Sequence, residues 1–282
     1  MPLAPLPRIL TEPLVREALL EDLGRAGDIT TDAIVPRDLM TKTVMAARQE
    51  GVVAGLDLAA LAFSLIDPTI RFEAVAEDGA AVAPGSSVAI VEGPARGMLT
   101  AERVALNFVS RMSGVASATA KLAAAVKHTK SRIVCTRKTT PLLRAIEKYA
   151  VRAGGGSNHR FGLDDAVLIK DNHVAVAGSV AEAIRRARAY VGHLVKIEVE
   201  IDSLAQLEEA LGAGVDAILL DNMSLEDLKR GVAMIDGRAV SEASGRVTPQ
   251  TAGAIAQTGV DLISVGWLTH SAPILDIGLD AA

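Results

Sequence analysis

The chain has 282 residues, half of them apolar and only 2% aromatic, with a formal charge of −5 at pH 7. That length suffices for two modest domains, or for an α/β barrel with an appended unit, around a core of Ala, Val, Leu and Ile. The acidic balance and the lack of aromatic stacking platforms argue against nucleic acid or an anionic membrane as a partner, the single cysteine, Cys135, excludes an intramolecular disulfide, and no apolar run approaches the ~20 residues of a membrane span.

Residues 1–10 hold three prolines and no apolar signal-peptide core, so a soluble cytoplasmic protein is expected. Thr11 to Leu20 predicts a short amphipathic helix, N-capped by Thr11 with Pro13 in its first turn. Gly27-Asp28-Ile29-Thr30-Thr31 reads as a loop. Strands are predicted at Thr41 to Arg48, Ile70 to Ala76 and Ser87 to Glu92, with a turn and short strand at Gly51 to Gly55 and an Ala/Leu-rich helix at Leu56 to Ile66. These make an α+β unit. Thr100 is expected to cap a helix running from Ala101 to His128, interrupted near Gly114. Arg103 would then sit in a first turn, where the helix dipole disfavours a cation by roughly 0.3–1 kcal/mol and an anionic ligand would compensate.

After residue 130 the pattern changes to alternating strand and helix. Mostly continuous apolar runs predict buried parallel strands at Arg132 to Thr136, Ala166 to Lys170, Val195 to Ile201, Asp216 to Leu220, Ala239 to Ala243 and Asp261 to Val265. Capping boxes at Ser179 to Glu182 and Ser203 to Gln206, and Thr248-Pro249, mark helix starts. Neither a dinucleotide-binding G-x-G-x-x-G nor a Walker-type phosphate loop is present.

Ligands of parallel α/β folds lie at the carboxyl ends of the strands. Those ends carry Arg137 and Lys138, Lys170, Glu200, Asp221, Glu242 with Ser244 and Gly245, and Gly266. From Lys127 to Leu163 there are nine Lys or Arg against one acid, Glu147, a local charge of +8 in an acidic protein. A solvated helix face accounts for Arg144, Lys148 and Arg152, but not for Arg137, Lys138 and Arg160, which lie in turns beside Gly and Thr. Four cations, Arg137, Lys138, Arg160 and Lys170, can bind carboxylates or phosphates. Glu200 and Asp221 are oxygen ligands suited to Mg²⁺. Glu198 shares a strand face with Glu200, which is favoured for being nearer the strand end. The glycine-rich segment Gly154 to Arg160 can bring His159 and Arg160 over an anion. Ser244-Gly245 and Val265-Gly266 are strand-to-helix turns where phosphate commonly binds. Lys170 could instead be a structural ion-pair partner, His173 a turn residue and Cys135 part of the core.

The chain resembles the quinolinate phosphoribosyltransferase family. The resemblance rests on Gly27 to Thr31, Glu102-Arg103-Val104-Ala105-Leu106-Asn107, Thr136-Arg137-Lys138-Thr139-Thr140-Pro141, Gly154 to Arg160, Leu168-Ile169-Lys170-Asp171-Asn172-His173, Glu198-Val199-Glu200, Leu220-Asp221-Asn222, Glu242-Ala243-Ser244-Gly245 and Ser264-Val265-Gly266. It implies an N-terminal α/β sandwich (residues 1–115) and a C-terminal open α/β barrel (116–282) whose last helix packs back on the N-terminal domain. It also implies a homodimer with the site shared between subunits, so that Arg103 reaches the partner's substrate. Arg137, His159, Arg160 and Lys170 would hold the two quinolinate carboxylates, with Thr136 in the same site. Lys138 would meet the phosphates of phosphoribosyl pyrophosphate, Glu200 and Asp221 would position Mg²⁺ and the ribose hydroxyls, and Ser244-Gly245-Arg246 and Ser264-Val265-Gly266 would hold the 5′-phosphate. Lys138, Lys170, Glu200 and Asp221 are the implied catalytic residues. Leu142, Arg246 and Trp267 depart from the family pattern, the first two from glycine and the third from a small residue. The alternatives are a sister family associated with molybdenum uptake, a barrel aldolase forming a Schiff base on Lys170, and a non-catalytic dicarboxylate-binding protein.

Overall fold

The computed structural model describes residues 3–281. In chain order the elements are α1 (Arg8–Leu23), α2 (Ile29–Ile34), β1 (Met40–Ala47), β2 (Gly51–Val52), α3 (Leu56–Ile66), β3 (Arg71–Ala74), β4 (Ala81–Val82), β5 (Ser87–Pro94), α4 (Ala95–Val126), β6 (Arg132–Val134), α5 (Arg144–Ala153) and β7 (Val167–Ile169). They continue with α6 (Asp171–Ala177), α7 (Val180–Tyr190), β8 (Ile197–Ile201), α8 (Leu204–Ala213), β9 (Ala217–Asp221), α9 (Leu225–Ile235), β10 (Val240–Ser244), α10 (Pro249–Ala256), β11 (Leu262–Ser264), α11 (Trp267–His270) and β12 (Ile277–Ala281). No helix among the described residues is long and apolar enough to cross a membrane. One unit comprises Met1–Ala120, Thr140–Gly155 and Ser271–Ala282, the other Lys121–Thr139 and Gly156–His270.

The first unit is built on an antiparallel sheet of order β12-β1-β5-β3. The last described element is a strand, not the helix expected there: Ile277 and Gly278 are buried and Ile277 to Ala281 pairs with Ala47 to Thr43 of β1. The helix α5 also belongs to this unit rather than to the barrel. Its Tyr149 hydroxyl donates to Asp78 Oδ2 at 2.8 Å, and its fully buried Glu147 accepts from Arg111 Nη2 at 2.6 Å and from the Thr140 N–H at 3.0 Å. The core is aliphatic and methionine-rich, with Met45, Met98, Met112 and a single large ring, Phe63, among its largest fully buried side chains.

Three expected helix boundaries move, each for a local reason. Thr11 does not cap α1; it is buried inside a helix that starts at Arg8, and its hydroxyl donates back to the Arg8 carbonyl at 3.3 Å. Gly27 to Thr31 is not a loop, because the Asp28 carboxylate accepts the Thr31 N–H at 2.9 Å and caps α2. Thr100 is not an N-cap either; its hydroxyl donates to the same Asp28 at 3.2 Å, and α4 begins five residues earlier, where Ala95 and Met98 are buried and Arg96 bonds Asp32 and the Val35 carbonyl. Arg103 therefore lies in the third turn of α4, and the dipole argument for a ligand there lapses. The helix is unbroken at Gly114, whose lack of a side chain admits the Pro273 carbonyl.

The second unit is a six-stranded, all-parallel sheet of order β6-β11-β10-β9-β8-β7 with its helices between strands. The two edge strands, β6 and β7, come first in sequence and do not pair, so the barrel is open between them. The expected caps hold where the side chain can reach: Ser179 accepts from the Glu182 N–H at 3.2 Å, and Thr248 from the Thr251 N–H at 3.3 Å with Pro249 following. Ser203 precedes α8 without a side-chain bond.

Candidate active site

Strand side chains alternate between faces, so residues two apart share one. Leu168 and Lys170, Leu219 and Asp221, and Glu242 and Ser244 line one cavity together with Glu200 and Ser264. The turn after β6 adds Thr136, Arg137 and Lys138, and the following loop adds His159 and Arg160. The cavity has a volume of 380 Å³. Ten of the expected site residues thus meet in a single space.

Its electrostatics are polarised. Arg137 and Arg160 stand close enough that the positive charge of Arg137, after burial itself, lowers the Arg160 guanidinium from its ordinary value. The buried Nε atoms of both arginines have no hydrogen-bond partner. Unpaired buried donors are rare in native proteins, and each represents a desolvation penalty that an acceptor would relieve. Lys170 is half exposed and donates to Glu200 Oε2 at 3.0 Å. The Asp221 carboxylate accepts from the Ser244 hydroxyl and, at 2.7 Å, from Asn222 Nδ2.

The loop that carries Arg160 spans the open side of the barrel. Ser157 pairs with β6, its N–H donating to Ile133 O at 2.8 Å and its carbonyl accepting from the Cys135 N–H at 3.2 Å. Three residues later, Arg160 Nη1 donates to the Ala166 carbonyl at 2.8 Å, just ahead of β7. Cys135 is fully buried, with its thiol 3.4 Å from Asn158 Oδ1.

Beneath the loop lies a trio that sequence reasoning did not assemble. His159 Nε2 is 2.8 Å from Glu198 Oε2 and 3.7 Å from Glu242 Oε1. His159 Nδ1 accepts the Arg160 backbone N–H at 2.8 Å, so the ring proton sits on Nε2 and points at the two carboxylates. Glu242 is 1% exposed with Oε1 unpartnered, and burial, then the neighbouring Glu198 charge, push its carboxyl up to about 7. The three donor atoms could surround a cation. The tautomer argues against it, because a metal-bound imidazole donates through its other nitrogen, whereas Nδ1 here accepts. His159 thus bridges the Arg160 backbone and the two carboxylates while lining the cavity. The available signal was parity: Glu198 lies two residues from Glu200, and Glu242 two from Ser244.

The remaining expected residues lie outside the cavity lining. Arg103 is exposed on α4 of the first unit. Val265 is 2% exposed and contributes only backbone at its strand end. Gly245, at φ 106°, could not accept a side chain without meeting Asn222. Arg246 is exposed and left-handed at φ 46°. Gly266 packs against Lys138, whose Cδ would stand 3.0 Å from an added Cβ. His173 is structural: its Nδ1 accepts the Lys170 N–H at 2.9 Å in the first turn of α6.

Comparison with known proteins finds relatives along nearly the whole chain. Residues 28–113 match the model of the quinolinate phosphoribosyl transferase N-terminal domain, and residues 115–280 that of its C-terminal domain. The chain is 47% identical over 271 residues to the nicotinate-nucleotide pyrophosphorylase [carboxylating] of Mycobacterium leprae, covering 94% of this chain and 95% of the relative. It is 42% identical over 267 residues to a probable enzyme of the same name from Bacillus subtilis, covering 95% and 92%. The crystal structure of NadC from Streptococcus pyogenes superposes with a TM-score of 0.95 at 42% identity, covering 99% of this chain and 98% of that one.

Proposed function

The chain belongs to the quinolinate phosphoribosyltransferase family, and from that premise we propose how its cavity works. The enzyme transfers the phosphoribosyl group of phosphoribosyl pyrophosphate to quinolinate and releases CO₂, giving nicotinate mononucleotide and pyrophosphate for pyridine-nucleotide synthesis. The observation that carries the assignment of the site is the pair of neighbouring, half-buried arginines, Arg137 and Arg160, each with a buried and unpartnered Nε in one cavity. A planar dicarboxylate supplies the acceptors they lack, with Lys170 at the rim.

The pyridine nitrogen attacks the anomeric carbon, and the bond to pyrophosphate breaks with oxocarbenium character. Glu200 and Asp221 face that developing positive charge, while Lys138 takes the negative charge of the leaving group. N-ribosylation turns the ring into an electron sink, so the 2-carboxylate leaves as CO₂ and a proton replaces it at carbon 2. No lysine adduct is required. Lys170 instead donates to Glu200 Oε2 at 3.0 Å at the rim of the cavity. The turns Ser244-Gly245-Arg246 and Ser264-Val265-Gly266 receive the 5′-phosphate, and Thr136 shapes the mouth by accepting the Lys138 N–H at 3.0 Å.

Mg²⁺ fits this site through water rather than in a closed cage. Both Asp221 oxygens already accept protein hydrogen bonds, and Glu200 shares Oε2 with Lys170. The ion would be held beside these two carboxylates and would neutralise pyrophosphate oxygens. A homodimer is proposed in which Arg103 of one subunit completes the partner's site. The N-terminal segments expose apolar side chains that such an interface would cover, among them Ile29 at 68%, Ile34 at 74% and Met40 at 62%.

The test is turnover measured with quinolinate, nicotinate and nicotinamide side by side, with and without a chelator. Quinolinate alone should yield CO₂ and mononucleotide, and only with Mg²⁺ present. Arg137→Ala and Lys138→Ala should each lower kcat/KM by more than about 100-fold without unfolding the protein. Calorimetric binding of quinolinate without turnover would favour a binding protein instead, and a borohydride-trapped adduct on Lys170 would favour an aldolase.

A further inference from the structure

Two of the residues that depart from the family pattern, Arg246 and Trp267, are linked through Val247, the residue after Arg246. Trp267 opens α11, and its indole Nε1–H donates to the Val247 carbonyl at 2.8 Å. Val247 is buried and directly follows Arg246. Gly245 and Arg246 both have left-handed backbone, at φ 106° and φ 46°. For glycine that conformation is unstrained; for arginine it persists only where the surroundings hold it.

The same short helix reaches in a second direction. The Thr269 hydroxyl donates to the Lys138 carbonyl at 2.8 Å, and Gly266 leaves room for the Lys138 side chain. One four-residue helix is therefore bonded to the turn after β10 and to the turn after β6. Both of those turns carry a cation, Arg246 in one and Lys138 in the other.

We propose that Trp267 is a positioning residue that locks the Ser244–Val247 turn and thereby aims Arg246 at the phosphate end of the ribosyl donor. The inference rests on reading the cavity as a phosphoribosyl pyrophosphate site. An indole suits the task because its N–H seeks an acceptor while its ring packs as an apolar body. A small residue after Val265-Gly266 could not reach Val247, and a glycine at position 246 would adopt the left-handed turn without help. The two departures thus compensate one another. The arginine adds a charge to the phosphate turn, and the tryptophan holds the turn in the conformation the arginine disfavours.

Trp267 is the only tryptophan in the chain, so it also reports on its own turn. Titrating the wild type with phosphoribosyl pyrophosphate and Mg²⁺, without quinolinate, should shift the intrinsic tryptophan emission, and Arg246→Gly should abolish that shift. Trp267→Phe, which keeps a ring but removes the N–H, should raise KM for the donor about ten-fold. Its kcat and its KM for quinolinate should stay within about two-fold of wild type. The double variant Trp267→Phe/Arg246→Gly should be no worse than Arg246→Gly alone, since the tryptophan acts through the turn. Equal effects on both substrates, strict additivity, or an unchanged donor KM would overturn the proposal while leaving the overall reaction standing. If the wild type does not turn over quinolinate, the underlying reading falls, and the emission titration still decides whether the turn binds the donor. Should Trp267→Phe fail to fold, that titration and the kinetics of Arg246→Gly carry the test.

Discussion

Replacing Glu242 by Gln isolates the effect of one buried carboxyl. Glu242 is 1% exposed, its Oε1 is unpartnered, the Glu198 carboxylate is a close neighbouring charge, and the His159 ring stands 3.7 Å away. Burial and the Glu198 charge raise its carboxyl from an ordinary value of 4.5 to about 7. A group raised in the folded state favours folding fully below its unfolded value, and that contribution is lost as pH rises through the folded value. The window is therefore pH 4.5 to 7, with a slope of about 1.4 kcal/mol per pH unit and a total of about 3 kcal/mol. Gln is nearly isosteric with the protonated acid and carries no charge at any pH. The variant should match the wild type near pH 4.5 and exceed it by about 3 kcal/mol above pH 7. For a chain of this size that is a gain in Tm of about 6 °C. The assay is thermal denaturation of both proteins at half-unit pH steps from 4.5 to 8. A stability difference that does not change with pH would show that the carboxyl is ionised throughout, and would refute the picture of a strained anion under the loop.

Two further substitutions probe features the cavity does not contain. Leu142 is 88% exposed in left-handed backbone at φ 66°, where it makes little use of its side chain. Leu142→Gly should relieve about 1–2 kcal/mol of strain against about 0.5–1 kcal/mol of added unfolded-state entropy, a net gain of about 0.5–1 kcal/mol by denaturant titration; a loss would mean the leucine is held by contacts. Glu147 is fully buried and accepts from Arg111, the Thr140 hydroxyl and the Thr140 N–H. Glu147→Ala leaves the partly buried Arg111 guanidinium without its carboxylate and should cost about 2–3 kcal/mol, lowering Tm by about 4–6 °C in a melting experiment; a cost below about 1 kcal/mol would mean Arg111 re-pairs with solvent.

The barrel strands were legible because each is a short apolar run ending in a charged or small residue. Asp221 and Ser244 are the last residues of β9 and β10, while Lys170 and Glu200 fall within one residue of the ends of β7 and β8. Helix starts were legible only where the capping side chain had no competing partner. Ser179 and Thr248 cap as read, whereas Thr100 and Asp28 bond to each other across 72 residues, a pairing no local pattern reveals. The first unit was harder for the same reason. Its final strand and α5 are chosen by long-range partners, β1 for one and Asp78 and Arg111 for the other. Leu142 and Arg246 show the limit in another form. Read from sequence, a leucine or arginine in place of glycine casts doubt on the turn; in the structure the left-handed backbone stays and the side chain bears the strain.

The placement of charge follows from strand order. Cations come from the two edge strands and the loop between them: Arg137 and Lys138 after β6, Lys170 after β7, and Arg160 on the loop bonded to both sides. Carboxylates and hydroxyls come from the middle of the sheet: Glu200, Asp221, Glu242, Ser244 and Ser264. An edge strand lacks a neighbour on one side, so long cationic side chains and a loop can occupy space that a closed barrel would fill with another strand. The reaction needs this division. A dicarboxylate and a leaving pyrophosphate both require positive charge, whereas the sugar carbon between them becomes transiently cationic and requires the opposite. On the proposed reading, opening the barrel between β6 and β7 would let the anions bind along one margin, with the acids of β8 and β9 facing the carbon at which the bond is exchanged.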